Sequence, residues 1–570
     1  KNTSNHTNNM TKITFGSAAT VDVTKKRGNQ KTASRRDGVK DVGLESNTFT
    51  TYAPEVKFEN IKAQVNVVRV KDDDPDGNVG VAKGALLEGV PICMPTNTAA
   101  ATMQAMKKRC DYAPQLETME SFQLGYAELM TKIPALAEIR VDQELIESYL
   151  GDCKPSKAER LRNAMLEGVW KFDGDTKHVF AKQEVLLKEH RAQPRVVYQG
   201  TDMYNLLTGC VVMELTRRMK AVHSMANPLN TGNKVLFACG MSGEELGDIV
   251  DQAKGNAVES DAKNNDGSQS AEFRKPEAMY YRKLGAPMWF VKEFARNTSV
   301  RVWTRYGVAA TVKGERWSGE GTTTTGNSFI HMVLILASLL KAQVTESTNV
   351  HGGDDYLGFV EADTEEFKGA IESVYKDAGM VAEVVPQPNR DVATFYRKRY
   401  PRTHKSRRPV PQFGRVLSKL NLRANRNTEI GDREYMAGKY LSAAYEHRFV
   451  PEIKDILLST SEKLSATPHI DWKDTKIRGM GPEAVAETVR NSDAIPDESL
   501  IGFLDTVYGI TMSDLLDVYS RVAQSCLDYC DGWTYVDSKT QRSKNKRGNS
   551  RYQPTYAGGA IVSALLACDT

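Results

Sequence analysis

The chain has 570 residues, 76 Lys and Arg against 72 Asp and Glu, and a formal net charge of +4; 40% of it is hydrophobic and 26% charged. At roughly 150 residues per domain this suggests three or four compact units, and the ordinary globular balance excludes a coiled coil, a collagen or a largely disordered chain. The eight cysteines are scattered with no CxxC, and Cys526 and Cys530 do not have a zinc spacing, so free thiols in a reducing compartment are expected. No run of 18 apolar residues occurs; the longest, Phe329 to Leu340, carries His331, and no transmembrane helix is expected. The sequence opens on Lys1 with no signal-peptide core, which reads as a piece of something longer, any membrane anchor lying upstream.

In chain order, residues 1 to about 50 are polar and basic, with Lys25-Lys26-Arg27 and Arg35-Arg36, and read as a loosely ordered arm. Residues 71–76 form an acidic turn or linker. From about 85 to 250 helices and short strands mix. Met106-Lys107-Lys108-Arg109 reads as a helix with a basic face, or alternatively as an element where a template enters. Residues 117–132 and 142–150 read as helices, and 182–197 as strand, basic turn, strand.

Three segments then carry chemistry. Residues 257–261 form a short strand ending in Asp261. Residues 317–327 are a Gly/Thr loop that opens a long apolar helix to Leu340. Residues 350–360 read as a hairpin with Asp354 and Asp355 at its tip. Residues 364–378 follow as a helix stopped by Gly379, then a strand from Met380 to Val385. Between Arg390 and Arg426 stand twelve Lys and Arg and one acid, Asp391; 539–551 holds six bases and no acid. Beyond about 430 the chain reads as helical, at 436–447, 453–464, 483–489 and 512–527.

If the Asp261 strand and the 350–360 hairpin share one antiparallel sheet, Asp261 and Asp354 face each other at its end. Crowded carboxylates are costly unless a cation joins them, and their oxygens suit Mg²⁺ or Mn²⁺. Two such cations serve an in-line phosphoryl transfer to a 3′-hydroxyl. Gly-Asp alone is ordinary turn chemistry. Its weight here comes from the combination of Asp261 with Asp266, Ser318-Gly319 with Thr322, Thr323 and Asn327, and Gly353-Asp354-Asp355, in that order.

These segments resemble the palm motifs of viral RNA-dependent RNA polymerases. Asp261-x4-Asp266-Gly267-Ser268 resembles motif A, Ser318-Gly319 through Asn327 motif B, and Gly353-Asp354-Asp355 motif C. Lys182-x-Glu184 with Lys188, Arg191 and Pro194-Arg195-Val196-Val197 resembles motif F. The resemblance covers roughly 180 to 425. The DGS after Asp266 and the threonine run give it a nodavirus-like flavour among positive-strand RNA viruses, with tombusvirus-like second.

The resemblance implies an α+β right-hand polymerase with fingers, a palm of antiparallel sheet plus helices, and a helical thumb. Residues 1–84 would be the basic arm and extension, 85–250 the fingers and 251–425 the palm, with part of 268–316 returning to the fingers. Residues 426–570 would be the thumb and C-terminal segment. Asp261, Asp354 and Asp355 would be catalytic and hold Mg²⁺, with Mn²⁺ able to substitute. Lys182, Lys188, Arg191 and Arg195 would meet the triphosphate. Asp266, Ser318, Thr323 and Asn327 would bind the nucleotide, Asp266 and Asn327 at the ribose 2′-hydroxyl; the alternative for Asp266 is a helix cap. Gly319, Arg397, Arg399, Lys405, Arg407, Arg408 and Lys419 would contact RNA.

Motif D departs from the pattern. Its usual lysine position holds Glu383, Lys376 is poorly placed to replace it, and the general acid is left unassigned. Motif E falls on either Phe395-Tyr396-Arg397 or Ser418-Lys419-Leu420. The implied partners are template and product RNA, NTPs and other viral replication proteins, in a replication complex in the host cytoplasm. The alternatives are a reverse transcriptase, disfavoured by Gly-Gly-Asp-Asp and by Asp266, and a non-enzymatic viral RNA-binding or shell protein, which explains the arm but none of the carboxylate spacings.

Overall fold

The structure is a computed structural model. It describes residues 90, 99–110, 115–166, 174–182, 184–185, 194–305, 308–423, 429–470, 477, 479–534, 555–556 and 559–569, with short strands at 12–13, 19–21, 56–58, 63–69, 83–84 and 86–87. The basic arm apart from its short strands, the 71–76 linker, and the 539–551 cluster lie outside the described residues.

The architecture is mixed α/β. Its centre is a five-stranded sheet in the order Ala382–Gln387, Asn256–Ala262, Asp355–Val360, Ser347–Gly352, Asn233–Phe237. The first four strands pair antiparallel and the last pairs parallel. The Ser347–Gly352 strand is buried along its whole length, as expected of a strand covered on both faces.

Packed on this sheet is the helix Thr322–Lys341. It is apolar nearly all round and therefore buried rather than amphipathic. Among the described residues it alone is long and apolar enough to cross a membrane, yet 83% of that window is buried inside the protein. Helix Glu120–Thr131 crosses it closely at Gly125, where a Cβ would sit 2.0 Å from the Val333 carbonyl oxygen. Helix Thr364–Asp377 begins at Asp363, whose carboxylate accepts from the Glu365 and Glu366 amides. It stops at Gly379, with φ +71°.

A second sheet runs Lys12–Ile13, Ala63–Arg69, Val308–Lys313, Ser299–Trp303, Thr176–Ala181, Val196–Gln199. The strand Ala63–Arg69 pairs with Val308–Val312, so residues assigned above to an N-terminal extension share a sheet with the 299–313 hairpin. The C-terminal part is helical: Asp432–Glu446, Pro451–Leu464, Pro482–Arg490, Asp497–Tyr508 and Met512–Thr534 enclose one apolar core. The helix Asp497–Tyr508 was not anticipated from the sequence. Its apolar residues Leu500, Phe503 and Leu504 recur at helical spacing. The seven described cysteines are free.

Candidate active site

The ladder between the two middle strands ends at Ser260 opposite Tyr356. Asp261 and Asp355 are the next residues at that end, and Asp354 lies in the turn before Asp355. On its other side Asp261 pairs in register with Glu383. Gly353 takes φ +74° to make the turn, and its amide donates to Ser328 Oγ at 2.8 Å, tying the tip to the long helix. Gly352 is required for a different reason: a Cβ there would lie 2.0 Å from the Tyr396 hydroxyl. Tyr396 and Arg397 form the tip of a tight hairpin closed by Phe395 and Lys398, both tip residues left-handed at φ +53° and +59°. Ser418-Lys419-Leu420 is helical, within Phe413–Leu420, so of the two candidate segments only 395–398 is a hairpin.

All three carboxylates reach solvent, and among the described residues none forms an ion pair. Partial burial, then Asp354 and Glu383, push the Asp261 carboxyl up to about 6. Burial, then Asp354 and Asp261, push Asp355 up to about 7. Although its side chain reaches solvent, Asp354 is raised by desolvation from the surrounding protein and by the Asp266 charge. Like charges held together with no ion pair among the described residues are a cation-seeking arrangement, even with Arg195 and Arg397 near enough to act on Asp354 and Asp355. Among the described residues no three ligating side chains close a coordination shell by themselves. The set fits a hard cation bound by one or two carboxylates and completed by water and substrate phosphate.

Val196–Gln199 is bonded to the Gly/Thr loop through the Tyr198 amide and the Ser318 carbonyl at 2.8 Å. Arg195 lies close enough to Asp354 and Asp266 for both to stabilise its charge. Its fork is held by Glu184 through two bonds of 2.6 Å, and Lys182 Nζ lies 3.1 Å from the same carboxylate. Lys188 and Arg191 lie outside the described residues.

Asp266 does not cap a helix. Its short helix Asn265–Ser268 has Asn264 as N-cap, with no side-chain cap bond. Instead the Asp266 carboxylate accepts from the Ser318 hydroxyl and from Asn327 Nδ2 at 2.9 Å. Arg109 stands 3.9 Å away and donates to Asn264 Oδ1 at 2.8 Å, so the basic end of helix Ala99–Cys110 packs on this turn. Nothing in the spacing of 106–109 marks Arg109 apart from its neighbours. Gly319 is exposed with φ +104°. Thr323 faces its own loop: its hydroxyl accepts from the Gly319 amide and donates to the Glu320 carbonyl. That is a loop-closing role, one the motif position did not suggest.

The basic run after 390 is largely consumed inside the protein. Arg399 is buried and donates to Tyr508 Oη, Asp569 Oδ1 and the Cys568 carbonyl. Arg407 is buried against Asp391, Asp251 and the Tyr400 carbonyl. Arg408 pairs with Asp248 at 3.3 Å. Arg399 and Arg407, buried on these partners, are not placed for the RNA contacts expected of them; Asp569, Asp251 and Asp248 are remote in sequence and invisible to local charge counting, whereas Asp391 lies within the run. Lys419 is half-buried, donates to the Val185 carbonyl at 3.0 Å, and is pushed down to about 8 by burial and by Arg397. Arg397 and Lys405 are exposed.

A comparison with curated proteins finds no match. A family model described as RNA dependent RNA polymerase matches residues 93–377. That stretch is half of the chain and takes in the Arg195 strand, Asp261 and Asp266, the Gly/Thr loop and the Asp354–Asp355 turn. The family uses divalent metals and works on an RNA template with NTPs. Because the match covers half of the chain and takes in Asp261, Asp266, Asp354 and Asp355, the chain belongs to this family: it is a positive-strand viral RNA-dependent RNA polymerase, a nucleotidyltransferase.

Proposed function

We propose that this chain replicates a viral RNA genome by joining NTPs to an RNA 3′-hydroxyl at Asp261, Asp354 and Asp355, through a two-metal mechanism with Mg²⁺, for which Mn²⁺ can substitute. The observation that carries this is the gathering of three carboxylates, none in an ion pair among the described residues, at one sheet end with Arg195 near enough to act on Asp354. Bound there, divalent cations neutralise the transferring phosphate and ease ionisation of the 3′-hydroxyl. Arg195 and Lys182 hold the triphosphate, with Glu184 keeping the guanidinium in place. Asp266 accepts from the ribose 2′-hydroxyl and Asn327 donates to it. Gly319 lets the loop before the long helix flex against template. The hairpin of Tyr396 and Arg397, packed on Gly352, supports the primer end. Glu383 beside Asp261 is an acid, so no residue is assigned to protonate pyrophosphate. In this reading 85–250 forms fingers, 251–425 a palm and 426–570 a thumb, and the enzyme works in a cytoplasmic replication complex with other viral proteins. The DGS segment and threonine run favour a nodavirus-like origin. The test of the reading is incorporation of NTPs and of dNTPs on an RNA template: NTP use is expected, and efficient dNTP use with no NTP use would instead make it a reverse transcriptase.

Three expectations follow from the residues. Arg195→Ala is expected to lower the efficiency of NTP use by about 10²-fold, about 3 kcal/mol, for loss of a charge-assisted contact to a transferring phosphate. Steady-state constants for all four NTPs check this, and unchanged constants remove Arg195 from the site.

Arg397→Ala is expected to weaken RNA binding and reduce its salt dependence while leaving the melting temperature alone. Arg399→Ala is expected to do the reverse, costing about 3 kcal/mol of stability by leaving Asp569 buried and unpaired. Salt titrations of RNA affinity and thermal melts separate the two.

The third concerns pH. The folded-state carboxyls of Asp261 and Asp355 are raised to about 6 and about 7, so ionising them costs the metal-free fold. Their drag on stability is absent below the unfolded value near 3.8 and grows as pH rises toward 7. The metal-free wild type should therefore lose stability relative to Asp355→Asn over that window. Mg²⁺ should raise the wild-type melting temperature at pH 8 more than at pH 6. Calorimetric melts across pH, with and without Mg²⁺, check both signs; a pH-independent difference contradicts them.

A further inference from the structure

Arg316, Gln269 and Glu277 are buried behind Asn327 and Asp266, only 2%, 3% and 0% exposed. Arg316 is held by Glu277 through a two-pronged pair of 2.8 and 2.7 Å, and Tyr281 Oη donates to the same carboxylate. The long helix makes room for this pair with a glycine: a Cβ on Gly326 would sit 2.2 Å from Arg316 Nη1 and 2.3 Å from Glu277 Oε1. A buried ion pair is weak support for stability by itself, since apolar packing would serve as well. What distinguishes this one is where its Nε points. Arg316 Nε donates to Gln269 Oε1 at 2.9 Å and to Asn327 Oδ1 at 3.2 Å. Gln269 Nε2 then donates to Asn327 Oδ1 at 2.9 Å, and Asn327 Nδ2 donates to Asp266 Oδ1.

This chain of bonds has a direction. Guanidinium can only donate and an ionised carboxylate can only accept. With Arg316 at one end and Asp266 at the other, each amide between them has one orientation that satisfies every bond. Asn327 thus turns its carbonyl inward and its NH₂ toward Asp266. We infer that Gln269, set by the Arg316–Glu277 pair, is a positioning residue for sugar selection, fixing the Asn327 amide so that it meets the 2′-hydroxyl as a donor. The inference rests on Asp266 and Asn327 being the ribose-binding pair.

Gln269→Met keeps the length and bulk of the side chain and removes both polar ends. Efficiencies for NTP and dNTP on one RNA template, with a thermal melt, are measured for the full chain and this variant. The NTP-to-dNTP ratio is expected to fall by about ten-fold, through NTP use alone, as for loss of a hydrogen bond at a buried polar group. Glu277→Gln, which leaves Arg316 a neutral partner, is expected to shift the ratio the same way and serves if Gln269→Met does not fold. Equal losses for NTP and dNTP overturn the inference. So does a wild-type ratio in Gln269→Met when Asn327→Ala has lost discrimination, an outcome that leaves the ribose pair standing. A wild-type ratio in both variants overturns the ribose pair as well.

Discussion

Asp354→Asn is expected to abolish nucleotide incorporation, by at least about 10³-fold or about 4 kcal/mol of transition-state stabilisation. The amide oxygen is a weaker ligand than a carboxylate oxygen, and one charge leaves a site that needs charge to hold a divalent cation. The fold should survive. Asp354 is exposed in a turn and forms no ion pair among the described residues, and the turn is held through Gly353 and Ser328. Removing one of the crowded charges should leave the metal-free protein no less stable. Incorporation in Mg²⁺ and in Mn²⁺, RNA affinity and a thermal melt on the same preparation check all of this. Near wild-type rates in both metals contradict the assignment of Asp354.

The second large effect concerns the sugar. Asp266→Ala and Asn327→Ala are each expected to bring the NTP-to-dNTP ratio toward unity, chiefly by loss of NTP use. A site built to bond a hydroxyl leaves buried polar groups unpaired when the hydroxyl is missing, which supplies several kcal/mol of discrimination without a steric gate. The Asp266 carboxylate is already aimed by Ser318 and Asn327 rather than spent on a helix end. Lower thermal stability with the ratio preserved would refute the sugar role.

The parts legible in the sequence were those whose chemistry is local. The Gly-Gly-Asp-Asp turn, the strand carrying Asp261 and the Gly/Thr loop that opens a helix each lie within a dozen residues, and Asn256–Ala262 does pair antiparallel with Asp355–Val360, but in a register that sets Asp355 rather than Asp354 next in line with Asp261. Charge was misleading where pairing was remote. Arg399 finds Asp569 and Arg408 finds Asp248, contacts that no window over 390–426 contains. Arg109 reaching Asp266 from helix Ala99–Cys110, and Tyr396 packed on Gly352, are likewise products of tertiary placement. Thr323 was read for its motif position, but a threonine at the start of a helix also bonds its own backbone, and here it does.

The most direct measurement is a single-nucleotide extension by the purified wild-type chain on a primer annealed to a heteropolymeric RNA template, each NTP offered separately, with Mg²⁺ and with chelator. The account predicts addition of only the NTP complementary to the templating base, one pyrophosphate released per addition, and no product in chelator. Addition of every NTP regardless of template, or extension that persists in chelator, would contradict it.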